Sequence, residues 1–307
     1  MKYQWYPGHM AKARRMMEDS VRLTDVVIEI VDARCPASSR NPDIDKMAAG
    51  KGRIIILNKA DLADPKVTES WMRYFTSQGI SCMNADARRR VNVRGLMSLT
   101  EKVCRERNER RRGKGMNTGR VRAMIAGIPN VGKSTWINSL AGRASAKTGN
   151  KPGVTRGGQW ITVGSSFELL DTPGILWPKM DQEIVGRNLA LTGSMRDEVI
   201  NIEELALELI TFLLDQYPGV LADRYGIDEA EPEAMERNDM LLRPGTSPNA
   251  IRCMEDISAH RAFMKKGGGA DYDRTARAVL DDFRSGRLGR ISLEKPALEG
   301  ENAHEQQ

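Results

Sequence analysis

The chain has 307 residues, of which 40% are hydrophobic and 29% are charged, a composition typical of a globular protein large enough for two domains. It contains no run of about 18 apolar residues, no apolar core for a signal peptide near its N-terminus, and four scattered cysteines. We therefore expect a cytoplasmic protein with no membrane span, no disulfide framework and no zinc site.

The charged residues are distributed unevenly along the chain. Lys and Arg total 47 against 41 Asp and Glu, a net charge of +6. Residues 101–123 hold nine basic and three acidic side chains, residues 261–290 hold eight and four, and residues 201–240 hold two and eleven. Basic patches are typical of proteins that bind a polyanion, although ordinary variation on a solvated surface explains either patch equally well.

Short apolar runs alternate with helix-like stretches in the first part of the chain. Strands are predicted at residues 26–31, 54–57, 80–83, 121–126, 160–163 and 167–170, and helices at 70–78 and 92–107. A basic, glycine-containing segment at 110–119 follows the second helix. Strands that alternate with helices indicate βαβ units, so we predict an α/β fold with a mainly parallel, doubly wound sheet.

The pattern changes after residue 178. Apolar residues recur at helical spacing between residues 202 and 213, and a second amphipathic helix is predicted at 272–284. The acidic, proline-containing segment 228–247 is predicted to be a loop. We therefore predict two domains, residues 1–178 with the sheet and residues 179–307 with the helices.

Residues 127–134 read GIPNVGKS, which matches the phosphate-binding pattern GxxxxGK[ST] between a predicted strand and a predicted helix at 135–141. Backbone amides and a helix N-terminus at this place favour phosphate groups. Lys133 is predicted to contact the β- and γ-phosphates, and the Ser134 hydroxyl to bind Mg²⁺. The rest of the predicted nucleotide-contacting loop is Asn130, Val131, Gly132 and Thr135.

Residues 171–174 read DTPG and follow another predicted strand. Asp171 can hold Mg²⁺ through water and the Gly174 amide can meet a γ-phosphate, although a plain turn is the alternative. Thr155, in the intervening KPGVT segment, is predicted to be a switch threonine that contacts Mg²⁺ and the γ-phosphate. A flexible loop without a ligand is the alternative for that segment.

Residues 58–61 read NKAD and end a predicted strand. The Asp61 carboxylate can accept from both N–H groups of guanine, a pair that adenine does not offer. The Lys59 stem can cover the base, and Asn58 can tie this loop to the GIPNVGKS loop. A backbone N–H near Asn84 and Ala85, after the next short strand, can meet guanine O6.

The order of these motifs predicts a rearranged domain. NKAD precedes the phosphate-binding loop by about 70 residues here, whereas ordinary small GTPases have it afterwards. A circularly permuted GTPase domain accounts for this order, because permutation is tolerated where the old termini lie close together at the surface. The chain would then run from the switch region directly into the helical domain.

The sequence resembles the circularly permuted ribosome-assembly GTPases over nearly its whole length. The matching segments are WYPGHMAKA at 5–13, DAR at 32–34, SSRNP at 38–42, NKAD, GIPNVGKST, DTPGILWP and residues 267–292. The resemblance implies a monomeric GTPase that binds GTP and GDP. It also implies binding to a late precursor of the large ribosomal subunit, through rRNA and ribosomal proteins, and release after hydrolysis. The segment Asn84-Ala85-Asp86 departs from the serine-containing form usual in these proteins.

Hydrolysis is expected to be slow in the isolated protein. Ile175 stands after Gly174 where Ras-like GTPases have a glutamine that orients the attacking water. His9 is the candidate replacement, because imidazole can orient water or accept its proton near neutral pH. The resemblance links a histidine in this motif to activation, while a capping or packing role is the alternative.

Two further sites are predicted. Asn130 stands where a side-chain carbonyl can help to hold K⁺ beside the phosphates, although asparagine also favours the turn itself. Arg274, Arg277 and Arg284 can share one face of the helix at 272–284. The opposite, buried face is predicted to be the apolar stripe Tyr272, Ala276, Val279, Leu280 and Phe283. Such a face suits an RNA phosphate backbone.

Other functional classes fit the sequence less well. A regulatory GTP-binding scaffold that acts on a non-ribosomal protein or a membrane-surface partner would share the basic patches, but no lipidation motif is present. A metabolic kinase is a weaker option, because NKAD indicates guanine and no second substrate pocket can be read from the sequence.

Overall fold

The computed structural model describes residues 8–89, 91–116, 119–142, 159–164, 167–172, 174, 176, 182–230 and 247–297, without the side chains of residues 8–14. Contacts divide the chain into two compact units, Met1–Leu189 with Ser292–Gln307, and Ala190–Ile291. The two units are described separately.

The first unit is built on a six-stranded sheet with the order β3-β2-β1-β4-β6-β5. All neighbouring strands are parallel except β5, which runs antiparallel to β6. This arrangement confirms the predicted α/β class. The strands are β1 Val26–Asp32, β2 Gly52–Asn58, β3 Ser81–Asn84, β4 Val121–Ala126, β5 Gln159–Val163 and β6 Phe167–Asp171.

Helices cover the sheet because its central strands are apolar on both faces. Val31 and Leu57 pack with Trp71 and Phe75 on one face, while Ile30 and Ile56 on the opposite face are also fully buried. Burying such side chains stabilises the fold by about 1.5–3 kcal/mol each. The helices of this unit are α1 Gly8–Arg22, α2 Pro42–Met47, α3 Pro65–Ser77, α4 Val93–Val103, α5 Arg105–Gly113 and α6 Lys133–Ala141. Helix α7, Glu183–Leu191, contains the residues at which the chain passes from the first unit to the second.

Three helices differ from their predicted bounds for local reasons. Helix α3 begins earlier than residue 70, because Asp64 accepts hydrogen bonds from the first backbone amides and Pro65 opens the helix. The predicted helix 92–107 is divided at Cys104 into α4 and α5, and α5 extends to Gly113, into the basic, glycine-containing segment. Helix α1 was not predicted.

The segment after the last helix belongs to the first unit. Glu294 is half-buried and accepts hydrogen bonds from the Ser38 hydroxyl at 2.6 Å, the Ser38 amide at 3.0 Å and the Asn188 side-chain amide at 3.2 Å. Burial raises the pKa of this carboxyl, although these donors favour its charged form. The boundaries of the compact units therefore differ from the predicted domain boundary after residue 178. That domain boundary stays a prediction.

The second unit consists of helices packed around α8. They are α8 Ile202–Gln216, α9 Val220–Tyr225, α10 Pro248–His260 and α11 Tyr272–Ser285, with a short 3-10 helix at Asp197–Val199. The predicted apolar face of α8 is confirmed, since its members are all buried: Ile202, Leu205, Ala206, Leu209, Ile210 and Leu213. Residues 231–246 of the predicted acidic loop lie outside the described residues.

The predicted basic face of α11 needs one correction. Arg274 and Arg277 are exposed, but the Arg284 guanidinium donates to the carbonyls of Ala190 and Leu191 and to the Asp197 carboxylate. Arg284 is therefore a structural residue that ties α11 to the start of this unit. Residues 276, 279, 280 and 283 are buried, as expected for the apolar stripe of α11, whereas Tyr272 is half-buried.

Within the part of the chain that the structure describes, no helix has the length and apolar character needed to cross a membrane.

Candidate functional site

The sequence motifs meet at one edge of the sheet. NKAD begins at the end of β2, GIPNVGKS follows β4, and Asp171 is the last residue of β6. These strands run in the same direction, so their carboxyl ends lie at the same edge. Ligands of open α/β sheets bind at this edge.

Two glycines in the GIPNVGKS loop allow close approach of other chain segments. Gly127 has φ +148°, and a Cβ there would lie 2.4 Å from the carbonyl oxygen of Ile30. Gly132 has φ +92°, and a Cβ there would lie 2.5 Å from the Asn58 side-chain nitrogen. Both positions therefore require glycine, which explains why the loop can lie against β1 and NKAD.

The N-terminus of α6 is prepared for an anion. Gly132 occupies the N-cap position in a left-handed conformation and supplies no side-chain hydrogen bond to the first amides. Ser134 and Thr135, in the first turn, are half-buried. A helix start without a capping side chain presents free N–H groups and a positive dipole end, which together suit phosphate oxygens.

Lys133 is buried beside its own loop. Its ammonium donates to the Ile128 carbonyl at 2.8 Å, and burial lowers its pKa to about 8 although Asp171 opposes this shift. A Cβ on Gly174 would lie 2.7 Å from the Lys133 ammonium nitrogen and 2.8 Å from the Pro129 backbone nitrogen. Gly174 and Lys133 are thus neighbours, as a shared γ-phosphate would require.

The residues predicted to hold Mg²⁺ lie together where they are described. The Ser134 hydroxyl is 3.5 Å from the Asp171 carboxylate, which is almost fully buried. In the described part of the chain, no three His, Cys, Asp or Glu residues form a metal-binding cluster. The Ser134 hydroxyl and the Asp171 carboxylate are hard oxygen ligands, which fit an ion such as Mg²⁺ that takes its other ligands from nucleotide phosphates and water.

Asn58 joins three loops at this edge: NKAD, the phosphate-binding loop and the loop after β3. Its side-chain amide donates to the Val131 carbonyl at 2.7 Å, and its side-chain oxygen accepts from the Ala87 amide at 3.1 Å. Asn58 is itself 1% exposed. This is the predicted tie between NKAD and the phosphate-binding loop, and it also holds the loop after β3.

Lys59 has a partner that the NKAD motif does not indicate. Its ammonium lies 3.0 Å from the carboxylate of Asp32, which also accepts two hydrogen bonds from the Arg34 guanidinium. Burial raises the pKa of Asp32, but Arg34 and Lys59 lower it further, so the carboxyl stays ionised far below its usual range. The DAR segment was noticed only through the family resemblance.

Asp61 offers a carboxylate oxygen for a ligand. Its Oδ1 atom is buried and has no hydrogen-bond partner among the described residues, while Oδ2 contacts the exposed guanidinium of Arg88. A buried carboxylate oxygen without a donor is costly. The N–H groups of guanine would satisfy it, so the residues present fit a guanine nucleotide.

The predicted contact to guanine O6 needs a correction. The Ala85 amide donates to the Leu57 carbonyl at 2.8 Å, so it is already part of the backbone ladder that continues from β3. Asn84 ends that strand. The next amide, that of Asp86, donates to no described residue and replaces Ala85 as the candidate.

Three predicted sites remain untested. Thr155 lies outside the described residues, and His9 is in α1 with its side chain outside the description. Asn130 has φ 60°, the left-handed conformation that asparagine tolerates well, as the turn interpretation expects. The residue also takes part in an interaction within the structure. The potassium site therefore stays a prediction.

Comparison with known proteins gives consistent matches. A family model described as 50S ribosome-binding GTPase matches residues 122–244. The ribosome biogenesis GTPase A of Priestia megaterium is 44% identical over 298 residues, covering 97% of this chain and 98% of the relative. The protein of the same name from Thermotoga maritima is 32% identical, with 95% and 94% of the two chains covered.

A solved structure extends the similarity to the fold. The GNP-bound YlqF from T. maritima superposes with a TM-score of 0.59 at 27% sequence identity. The match covers 93% of this chain and 98% of that one.

Proposed function

This chain belongs to the ribosome biogenesis GTPase A family and is a circularly permuted P-loop GTPase; from that premise we propose that it assists assembly of the large ribosomal subunit in the cytoplasm. In this proposal the GTP form binds a precursor particle through rRNA and ribosomal proteins, and the monomer leaves after hydrolysis. The observation that carries it is the whole-chain similarity, which includes both compact units.

The residues of this chain would divide the work of hydrolysis. Lys133 and the first amides of α6 would bind the phosphates, and Asp61 and the Asp86 amide would bind guanine. Ser134, Thr155 and Asp171 would hold Mg²⁺, which neutralises charge that develops on the phosphate oxygens when it is bound. The Gly174 amide would bind the γ-phosphate, and His9 would orient the attacking water once the particle completes the site.

Co-sedimentation with ribosomal particles tests this proposal. Purified protein is mixed with large-subunit precursors and with mature subunits, in the presence of a nonhydrolysable GTP analogue or of GDP. We expect retention on the precursor with the analogue and release with GDP. Equal retention with both nucleotides, or none with either, would contradict a nucleotide-controlled assembly role.

The cation experiment addresses Asn130. If its side-chain oxygen helps to hold K⁺ beside the phosphates, hydrolysis should be about tenfold faster in KCl than in NaCl at matched ionic strength, a barrier difference of about 1.4 kcal/mol. Asn130→Gly keeps the φ of 60° accessible but removes that oxygen, so it should abolish the difference. Equal hydrolysis rates of the unaltered protein in KCl and NaCl would contradict a potassium site at Asn130.

A charge-reversal experiment addresses α11. Arg274→Glu with Arg277→Glu should weaken particle binding about tenfold or more, because each lost phosphate contact no longer releases counterions. Affinity for GTP should stay the same, since the nucleotide site belongs to the other unit. Arg284 is left unchanged because its reversal would break the bonds to Asp197. Normal co-sedimentation at moderate salt would exclude α11 as the RNA anchor.

A further inference from the structure

Helix α5 is unusual because none of its residues is buried. It runs from Arg105 to Gly113 and reads RERNERRRG, with five arginines and two glutamates. A helix that is polar on all sides receives no stabilisation from a core. Its fold is instead supported by an ion pair between Arg107 and Asp25 and by an Arg105–Glu109 hydrogen bond at 3.0 Å.

The end of this helix carries three cations without a partner among the described residues. Arg110, Arg112 and Lys114 are exposed, and none of them makes an ion pair or side-chain hydrogen bond within the described residues. Positions 110 and 112 differ by about 200° around the helix axis, so these two side chains leave on opposite sides. Cations at a helix C-terminus also interact favourably with its negative dipole end.

We propose that this arginine helix end, Arg110, Arg112 and Lys114, binds the phosphate backbone of an RNA duplex. Cations on opposite sides of a helix end can contact the phosphates at both edges of the narrow major groove of A-form RNA without entering it. Recognition would be by shape and charge rather than by bases, as is usual for double-stranded RNA. This inference rests on the proposed function and names a second RNA contact, outside α11.

The position of α5 separates it from the nucleotide site. Asp25, which pairs with Arg107, directly precedes β1 and also accepts from the Arg122 amide at the start of β4. The phosphate-binding loop follows the other end of β4, a strand of six residues. Six strand residues span about 20 Å, so changes at the arginine helix end should leave nucleotide binding intact.

The test is a triple charge reversal with a matched control. Arg110→Glu, Arg112→Glu and Lys114→Glu are combined in one variant. The control combines Lys46→Glu, Lys66→Glu and Arg73→Glu, three exposed positions on α2 and α3 with the same change in net charge. Binding to an A-form RNA duplex and to precursor particles is measured over a range of salt, together with GTP affinity and thermal unfolding.

We expect the test variant to bind both the duplex and the particles at least tenfold more weakly than the unaltered protein at about 0.15 M salt. The slope of log affinity against log salt should fall by roughly 2 to 3, for three lost phosphate contacts. The control should differ little, and GTP affinity should be unchanged in both variants. If the glutamates unfold α5, a variant with glutamine at the same three positions should also bind the duplex and the particles more weakly than the unaltered protein, with a smaller loss of affinity.

Three results would overturn the inference. The first is unchanged RNA binding by both the three-glutamate and the three-glutamine variants. The second is an equal loss of binding in the control variant. The third is weaker binding to particles with unchanged binding to the duplex, which would indicate an acidic protein partner. If the unaltered protein fails to bind particles with either nucleotide, the proposed function is wrong. The duplex titration would still decide the role of the arginine helix end.

Discussion

Asp61→Asn should lower GTP affinity by about 100-fold and allow xanthosine triphosphate to bind instead. The buried Oδ1 of Asp61, which has no described partner, would accept from guanine N–H groups. Charge-assisted hydrogen bonds contribute about 1.5–3 kcal/mol each, and 1.4 kcal/mol is a tenfold change in affinity. An amide can donate to the additional carbonyl of xanthine, which a carboxylate repels.

Nucleotide titrations with both bases check this result. Asp64→Asn is a matched control, because Asp64 lies three residues later and caps α3 with an oxygen that an amide retains. Its GTP affinity should not change. The guanine assignment is wrong if the unaltered protein binds ATP as tightly as GTP, or if Asp61→Asn keeps its preference for GTP.

Gly132→Ala should reduce GTP binding by at least about 100-fold. The added Cβ would lie 2.5 Å from the Asn58 side-chain nitrogen, which is much shorter than a van der Waals contact. Asn58 is buried and holds the Val131 carbonyl, so it cannot move without opening the phosphate-binding loop. The φ of +92° adds backbone strain of about 1 kcal/mol for any residue with a Cβ.

The glycine at the other end of α6 provides the control. Gly142 also has a positive φ, +66°, but a Cβ there would meet no atom of the described residues within 4 Å. Gly142→Ala should therefore cost about 1 kcal/mol of unfolding free energy and leave GTP affinity unchanged. Equal GTP affinity in the two variants would mean that the contact with Asn58 does not shape the site.

Local sequence patterns were enough to identify the parts of the site. GIPNVGKS and NKAD are contiguous segments whose residue types determine their chemistry, and the strands before them were recognised from short apolar runs. The buried face of α8 was also predictable, because the spacing of its apolar residues matches the helical period. Helix α1 was not predicted, because charged residues are as numerous in it as apolar ones such as Met17 and Val21.

Contacts between distant segments required the tertiary structure. The Asn58 bond to Val131 joins residues 73 positions apart, and it forms because β2 and β4 end at the same sheet edge on either side of β1. Glu294 reaches Ser38 across 256 positions. A sequence indicates which side chains can pair, but strand order decides which of them become neighbours.

The same distinction explains the two corrected residues. Ala85 lies in a segment whose position beside NKAD was predictable, yet its amide is engaged by Leu57 because the ladder between β2 and β3 continues one residue further. Arg284 shares helical spacing with exposed arginines, yet it binds Asp197 and two carbonyls.

The sequence by itself determined the motifs, the class of fold and the apolar helix faces, because these depend on residue type and spacing. Only the tertiary structure decided which amides and cations are free to bind a ligand, because that depends on what packs beside them.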